Sequence, residues 1–422
     1  MTPAETATRR AIDAVWRIES ARLIGGLVRL VGDVGHAEDL AHEALVAAME
    51  RWPQAGIPDN PGAWLMTTAK NRALDQLRRR QMQARKHEAI GDDAPAPRAP
   101  AIEAAIDDEV GDDLLRLVLI ACNPVLSTEA RVALTLRLLG GLTTEEIARA
   151  FLLPEPTIAQ RIVRAKRTLA EAKVPFEVPR GAELSARLPS VLGVIYLIFN
   201  EGYSATGGDD WMRADLCEVA LRLGRILVGL VPAEAEAHGL VALMELHASR
   251  ARARRGPGGA PVLLLEQDRG RWDRLLIQRG LAALARAEAL ARPLGPYALQ
   301  AAISACHARA RTAAETDWHA IVALYDALAE LTGSTVVELN RAVAIAMTGD
   351  VDDALALVDA LADEPALRRY HLLPSVRGDL LWRLGRRAEA RMAFLAAAGL
   401  ATSGHDQALL RARAAACVEG GG

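Results

Sequence analysis

Arg161, Arg164 and Arg167 recur at three-residue spacing in the segment EPTIAQRIVRAKRTL, with Lys166 among them and Thr157 and Gln160 just ahead. Guanidinium groups, a hydroxyl and an amide along one side of a helix can hydrogen-bond the base edges and phosphates of duplex DNA. Such a row needs a firm inward face behind it. Ile158, Ile162, Ala165 and Leu169 supply that face at helical spacing. Upstream, Ile147, Ala148 and Phe151 mark a shorter helix, with Thr143 or Thr144 as its N-cap and Glu146 close behind. Pro154 and Pro156 interrupt the pattern and open the second helix, where a missing amide costs nothing. The pair predicts a helix-turn-helix, in which the first helix braces and the N-terminal end of the second enters the major groove. An ordinary helical hairpin with a solvated basic face has the same local pattern.

A second constellation lies nearer the N-terminus. In EDLAHEALVAAMERW, Leu40, Ala44, Ala47, Ala48 and Trp52 form an apolar face, and Glu38, Asp39, Glu43 and Glu50 an acidic one. After a proline-broken loop from Pro53 to Pro61 comes NPGAWLMTTAKNRALDQLRRR. There Ala63, Leu65 or Met66, Ala69, Ala73 and Leu77 can face inward, which leaves Lys70, Asn71, Arg78 and Arg79 outside near Trp64. An aromatic ring beside amide and basic side chains suits melted DNA, whose unstacked bases need a stacking surface and whose phosphates need cations. A core tryptophan and a solvated basic helix end are the plain alternatives.

These groups must be held by a helical scaffold. At 422 residues the chain has room for two to four domains of about 100–200 residues each. Few aromatics and abundant Ala, Leu and Arg predict an all-α protein. The net charge of −3 gives no argument for a nucleic-acid partner, but its distribution does. Residues 70–86 hold seven bases and one acid, whereas residues 91–113 hold eight acids and one arginine. We therefore divide the chain into helices over 1–90, an acidic Ala/Pro linker over 91–111, the helix-turn-helix with its supports over 112–175, and a helical extension over 176–422. Within the extension, Gly349 is followed by Ala354, Val358 and Leu361, and Gly385 at the same spacings by Ala390, Phe394 and Ala397. That repeat is near the ~34 residues of tetratricopeptide units and predicts an α-solenoid, with a generic helical bundle as the alternative.

Several classes are disfavoured. Cys122, Cys217, Cys306 and Cys417 have no short spacing, which fits cytosolic thiols and no zinc site. The longest clean apolar run, Val191 to Phe199, is far short of the ~20 residues that span a bilayer, and no signal peptide is visible. Histidines are scattered, and no nucleophile, metal or phosphate-loop motif appears, so neither an enzyme nor a cofactor is expected. Glu266, Asp268 and Asp273 around Trp272 read as a surface loop.

AEDLAHE, then GAWLMTTAKNRALDQLRRR, then LRLLGGLTTEEIARAF and TIAQRIVRAKRTL resemble, in that order, a bacterial RNA polymerase sigma factor of the extracytoplasmic-function type over roughly residues 10–172. The segments IFNEGYSA, EQDRGRWD, GPYALQAAISACHA and LNRAVA resemble the subgroup with a tetratricopeptide-like C-terminal extension. The resemblance implies a sigma region 2 helical bundle, a sigma region 4 helix-turn-helix domain, and core RNA polymerase and promoter DNA as partners in the cytoplasm. A protein partner for the extension is a further expectation. It assigns Glu38, Asp39, His42 and Glu43 to polymerase docking. It assigns Trp64, Lys70, Asn71, Arg72, Arg78 and Arg79 to the minus-10 strand, with the loop from Pro53 to Gly62 capturing a flipped base. Thr157, Gln160, Arg161, Arg164 and Arg167 are assigned to the minus-35 duplex. His42 stands where the family usually has Gln, Leu152 where it often has Gly, and Pro154 where it has a Ser or Thr cap. A Leu with positive φ would be strained at such a turn. A ligand-responsive helix-turn-helix regulator with a solenoid sensor, working without polymerase, would share only the middle and end of the chain.

Overall fold

Caps and glycines divide the chain into helices. The computed structural model describes residues 3–88, 110–151, 153–179, 181–203, 212–256, 262–401 and 404–419, and every regular element among them longer than a turn is helical. Most of the acidic linker, Leu152, and Ser204 and Ala205 of the IFNEGYSA segment lie outside the described residues. The chain forms two compact units, Met1–Leu230 and Val231–Gly422.

The first unit opens with α1 (Pro3–Val31), α2 (Val34–Ala55) and α3 (Pro61–Glu88). Asp33 caps α2 by accepting the His36 amide at 2.7 Å, and Asn60 accepts the Ala63 amide at 3.0 Å at the start of α3. The three helices bury Leu23, Ile24 and Leu27, then Leu40, Ala44, Ala48 and Trp52, then Leu65, Ala69 and Ala73. Two local expectations change. Pro53 lies inside the last turn of α2, which runs on to Ala55 and ends where the Gly56 amide donates to the Trp52 carbonyl at 3.0 Å. Ala63 is exposed, because Leu65, Ala69 and Ala73 set the buried stripe at i, i+4, i+8.

Next come α4 (Val110–Ala121), α5 (Thr128–Leu138), α6 (Thr144–Phe151) and α7 (Glu155–Glu171). Thr143 caps α6 reciprocally with Glu146: the Glu146 amide donates to Thr143 Oγ1 at 3.1 Å, and the Thr143 amide to Glu146 Oε2 at 2.8 Å. Pro154 caps α7 with no side-chain hydrogen bond, and Pro156 sits within its first turn. Ile147 and Ala148 from α6 and Ile158, Ile162, Ala165 and Leu169 from α7 are buried, as the spacing predicts.

Two further helices, α8 (Ala182–Tyr203) and α9 (Ala214–Leu230), pack on each other and on α4, while α8 also meets α5. Ser190 of α8 donates to the Cys122 carbonyl at 2.7 Å and receives Arg131 of α5. Arg222 of α9 donates to the carbonyls of Leu139 and Gly140 at 3.2 and 2.8 Å, closing the end of α5. The first compact unit therefore ends after α9, at residue 230, and takes in two helices that the sequence grouped with the extension beginning at 176. Gly202 lets α8 touch the start of α9: a Cβ there would stand 2.7 Å from the Cys217 amide nitrogen. Helix α8 is the one described helix long and apolar enough to cross a bilayer, yet its stripe from Leu188 to Phe199 is packed inside the unit.

The second unit runs through α10 (Ala235–Ser249), α11 (Arg274–Leu290), α12 (Pro296–Arg309), α13 (Trp318–Thr332), α14 (Thr335–Thr348), α15 (Val351–Ala360), α16 (Leu372–Arg383), α17 (Arg387–Leu400) and α18 (Gly404–Glu419). From α12 onward each helix packs on the next. Gly349 and Gly385 both have positive φ, 114° and 76°, and the residues at matching spacing behind them, Ala354, Val358 and Leu361 and then Ala390, Phe394 and Ala397, are all buried. The EQDRGRWD segment closes the loop between α10 and α11. Asp268 and Asp273 cap helix starts, and the buried Arg269 donates to the carbonyls of His307 and Ala310 and to Thr316 Oγ1. Among the described residues no three His, Cys, Asp or Glu side chains converge as a metal site, and all four cysteines are free.

Candidate nucleic-acid interface

Helix α7 presents the predicted row to solvent. Thr157, Gln160, Arg164 and Arg167 are exposed, and Arg161 is half-buried. Arg167 pairs with Glu171 on its own helix at 3.0 Å. Lys166 behaves differently from its neighbours. Its ammonium turns away from the row and pairs with Glu38 of α2.

Helix α3 carries the second set. Asn71 and Arg78 are exposed and Lys70 is half-buried. Arg72 pairs with Glu43 at 3.2 Å, which joins a predicted strand contact to a predicted polymerase contact. Trp64 is half-buried and packs edge-on against the buried Trp52, ring centroids 5.4 Å apart, so part of its surface remains at the face. The Arg79 side chain lies outside the described residues. Residues 56–60, between α2 and α3, are exposed apart from the half-buried Pro58.

The acidic face of α2 divides. Asp39 and Glu43 are exposed, as expected. Glu38 is not an outward acid: it is 3% exposed and ion-paired with Arg137 of α5 and Lys166 of α7. Its Oε1 accepts from Arg137 Nε at 2.7 Å. Burial pushes the Glu38 pKa up, but Lys166 and Arg137 outweigh it and hold the carboxyl below its ordinary value. His42, one turn on, shares a hydrogen bond through Nδ1 with the Glu38 carbonyl at 2.8 Å and faces Arg137 Nη2 at 2.9 Å. Burial and Arg137 lower its pKa, so the ring is neutral at pH 7 and Nε2 can accept from the guanidinium.

This cluster joins the α1–α3 bundle to the α4–α7 domain. Arg17 of α1 pairs with Glu146 of α6 at 2.7 Å, and Arg29 of α1 with the buried Asp113 of α4 at 3.4 Å. Asp113, counted by composition with the acidic run, also holds Arg116 at 2.7 Å. Gly25 permits the crossing, since a Cβ there would meet the Asp113 carbonyl oxygen at 3.0 Å. Sequence reasoning missed Arg137, Arg17 and Asp113 in these roles. Their partners are far away in the chain, 99 residues in the case of Arg137 and Glu38, and no local pattern carries such a pairing.

Comparison with known proteins agrees with this division. Residues 17–82 match Sigma-70 region 2, residues 116–169 match Sigma-70 region 4, and residues 187–288 match a family of unknown function (DUF6596). An uncharacterized protein of Rhizobium meliloti is 43% identical over 392 residues, 92% of this chain and 91% of its own. The ECF RNA polymerase sigma factor SigL of Mycobacterium tuberculosis is 31% identical over 169 residues, 39% of this chain and 89% of its own. The probable ECF RNA polymerase sigma factor SigI of the same organism is 30% identical over 172 residues, 40% of this chain and 57% of its own.

Proposed function

The chain belongs to the extracytoplasmic-function (ECF) RNA polymerase sigma factors, and from that premise we propose that it joins core polymerase and directs it to promoter DNA through two separate surfaces. Sigma factors are initiation factors, not enzymes, so these surfaces act by binding and positioning. Helix α7 reads the minus-35 duplex through Thr157, Gln160, Arg161, Arg164 and Arg167. Helix α3 and the connection before it hold the minus-10 strand, with Lys70, Arg72, Arg78 and Arg79 on phosphate, Asn71 on a base edge and Trp64 as a stacking edge. Asp39 and Glu43 dock on polymerase, and Glu38 and His42 join them only after Arg137 and Lys166 withdraw.

The observation that carries this reading is the division of labour on α7: four polar side chains in solvent over a fully buried apolar stripe, braced by a reciprocally capped α6. Opening a start site costs a few kcal/mol per unstacked step, and phosphate contacts alone read no sequence, so base capture near residues 53–62 supplies the selectivity. The extension, tetratricopeptide-like in its repeat, regulates or supports the activity of the DNA-binding domains while offering a protein-binding surface. The protein works in the cytoplasm, where its polymerase is.

Run-off transcription with purified core enzyme tests the reading. Promoter-directed transcript that depends on this chain is the expected result. No transcript and no association with core, together with tight binding to intact duplex, would transfer the protein to the ligand-responsive regulators.

A further inference from the structure

A second basic surface lies in Val231–Gly422, the unit that holds none of the promoter or polymerase residues assigned above. Between residues 250 and 274 the sequence holds seven arginines against Glu266, Asp268 and Asp273. The fold gathers them: α10 ends at Ser249, α11 starts at Arg274, and the Asp273 amide donates to the Ser249 carbonyl at 2.8 Å. Arg269 and Arg250 turn inward over the ring of Trp272, at 5.0 and 5.8 Å from its centroid. Arg252, Arg255, Arg271 and Arg274 are left exposed around one open cleft of about 760 Å³.

The acids at the cleft are engaged by backbone amides. Asp273 is its one lining acid, and its Oδ1 accepts the Leu275 and Leu276 amides at 2.9 and 3.1 Å. Asp268 is likewise engaged, with Gly270. Among the described residues no carboxylate pairs with Arg252, Arg271 or Arg274. Behind the cleft, burial and then the inward Arg250 and Arg269 press His307 down to about 4.

We propose that the cleft formed by Arg252, Arg255, Arg271 and Arg274 is a phosphate-backbone site for duplex DNA. The guanidinium groups of Arg252, Arg271 and Arg274, paired with no described carboxylate, spread over an open cleft and match a run of phosphates, for which bidentate arginine geometry is suited. Single strands are disfavoured because they need an aromatic platform, and Trp272 is 4% exposed with arginines on its ring. The site is held near DNA by connectivity. Only residues 231–234 separate α9 from α10, so a promoter bound by α7 raises the local concentration of flanking duplex at the cleft.

The test uses the full chain and a short duplex of unrelated sequence, with affinity followed by fluorescence anisotropy over a range of KCl. Each phosphate contact contributes about 0.9 to the slope of log affinity against log salt. The combined variant Arg252→Ala, Arg271→Ala and Arg274→Ala is expected to bind more weakly, with a slope shallower by about 2–3. Unchanged melting by circular dichroism accompanies that result. A slope equal to that of the unchanged protein overturns the proposal, as does arginine-dependent binding of polyglutamate with no change in DNA affinity, which would make the surface an acidic-peptide site. Failure of the sigma-factor reading is scored separately, because this measurement contains no polymerase.

Discussion

Arg137 and Glu38 lie 99 residues apart and meet at 2.7 Å, nitrogen to oxygen, with the carboxylate 3% exposed. Lys166 reaches the same carboxylate from α7. One buried acid thus fastens the α4–α7 domain to the α1–α3 bundle, while the two cations keep partial contact with water, at 20% and 21% side-chain exposure.

Removing the charge leaves both cations facing a neutral group. Glu38→Gln is expected to destabilise the first unit by about 1–3 kcal/mol, below the figure for a fully buried pair because of that partial exposure. Urea unfolding of the full chain measures it. A loss under a few tenths of a kcal/mol would mean that the contact is incidental.

Acid acts on the same cluster. A carboxyl with a depressed folded pKa, as in Glu38, contributes stability that is present above the unfolded value and lost as pH falls through the folded one. His42, lowered by burial and Arg137, has the same sign: stability is present above its ordinary value and lost as pH falls through the folded value. Its charged neighbours are Glu38, Arg137 and Lys166, with the Trp16 ring 5.1 Å away. The melting temperature is expected to fall between pH 7 and about 5. His42→Gln should show a smaller fall, the difference being the share due to this ring, since His247 and His307 in the second unit titrate in the same direction.

Thr143→Ala removes one half of the reciprocal cap on α6 and leaves the Glu146 amide without its oxygen. A loss of about 1 kcal/mol is expected. Thr143→Ser should restore most of it in the same thermal melt.

How much of this was legible in advance differs by element. The helix-turn-helix was readable because its information is local: the Thr143 cap, Pro154 and Pro156, and the stripe from Ile158 to Leu169 all act within a few residues. The exposed row on α7 followed from the same periodicity. The Glu38 cluster was unreadable because a carboxylate on an amphipathic helix has one appearance in sequence whether it meets water or a distant arginine. Lys166 illustrates the point. It sits among three arginines that face solvent or lie half-buried, and its flexible stem carries its charge to another domain. EQDRGRWD posed the opposite difficulty, because acids around a tryptophan read as a surface loop, whereas Arg269 uses the segment to bind three acceptors inside the second unit.

Arg164→Ala and Arg269→Ala separate recognition from architecture. Arg164 is exposed, so its loss should weaken promoter binding by about 1–3 kcal/mol with melting unchanged. Arg269 is 8% exposed, so its loss should lower stability by about 3 kcal/mol or more, through orphaned carbonyls and the lost ring contact. Anisotropy with promoter duplex and urea unfolding, run on both variants, check the pair. Similar profiles for the two would contradict the assignment.

The grip of Arg222 on the Leu139 and Gly140 carbonyls, just past the end of α5, bears on how this molecule can be dissected. A stop codon near residue 175 would strip the buttress from the α4–α7 domain, expose its flank and strand those oxygens, so a silent fragment would say nothing about regulation. The informative scissor point is the turn after Leu230, where the first compact unit ends.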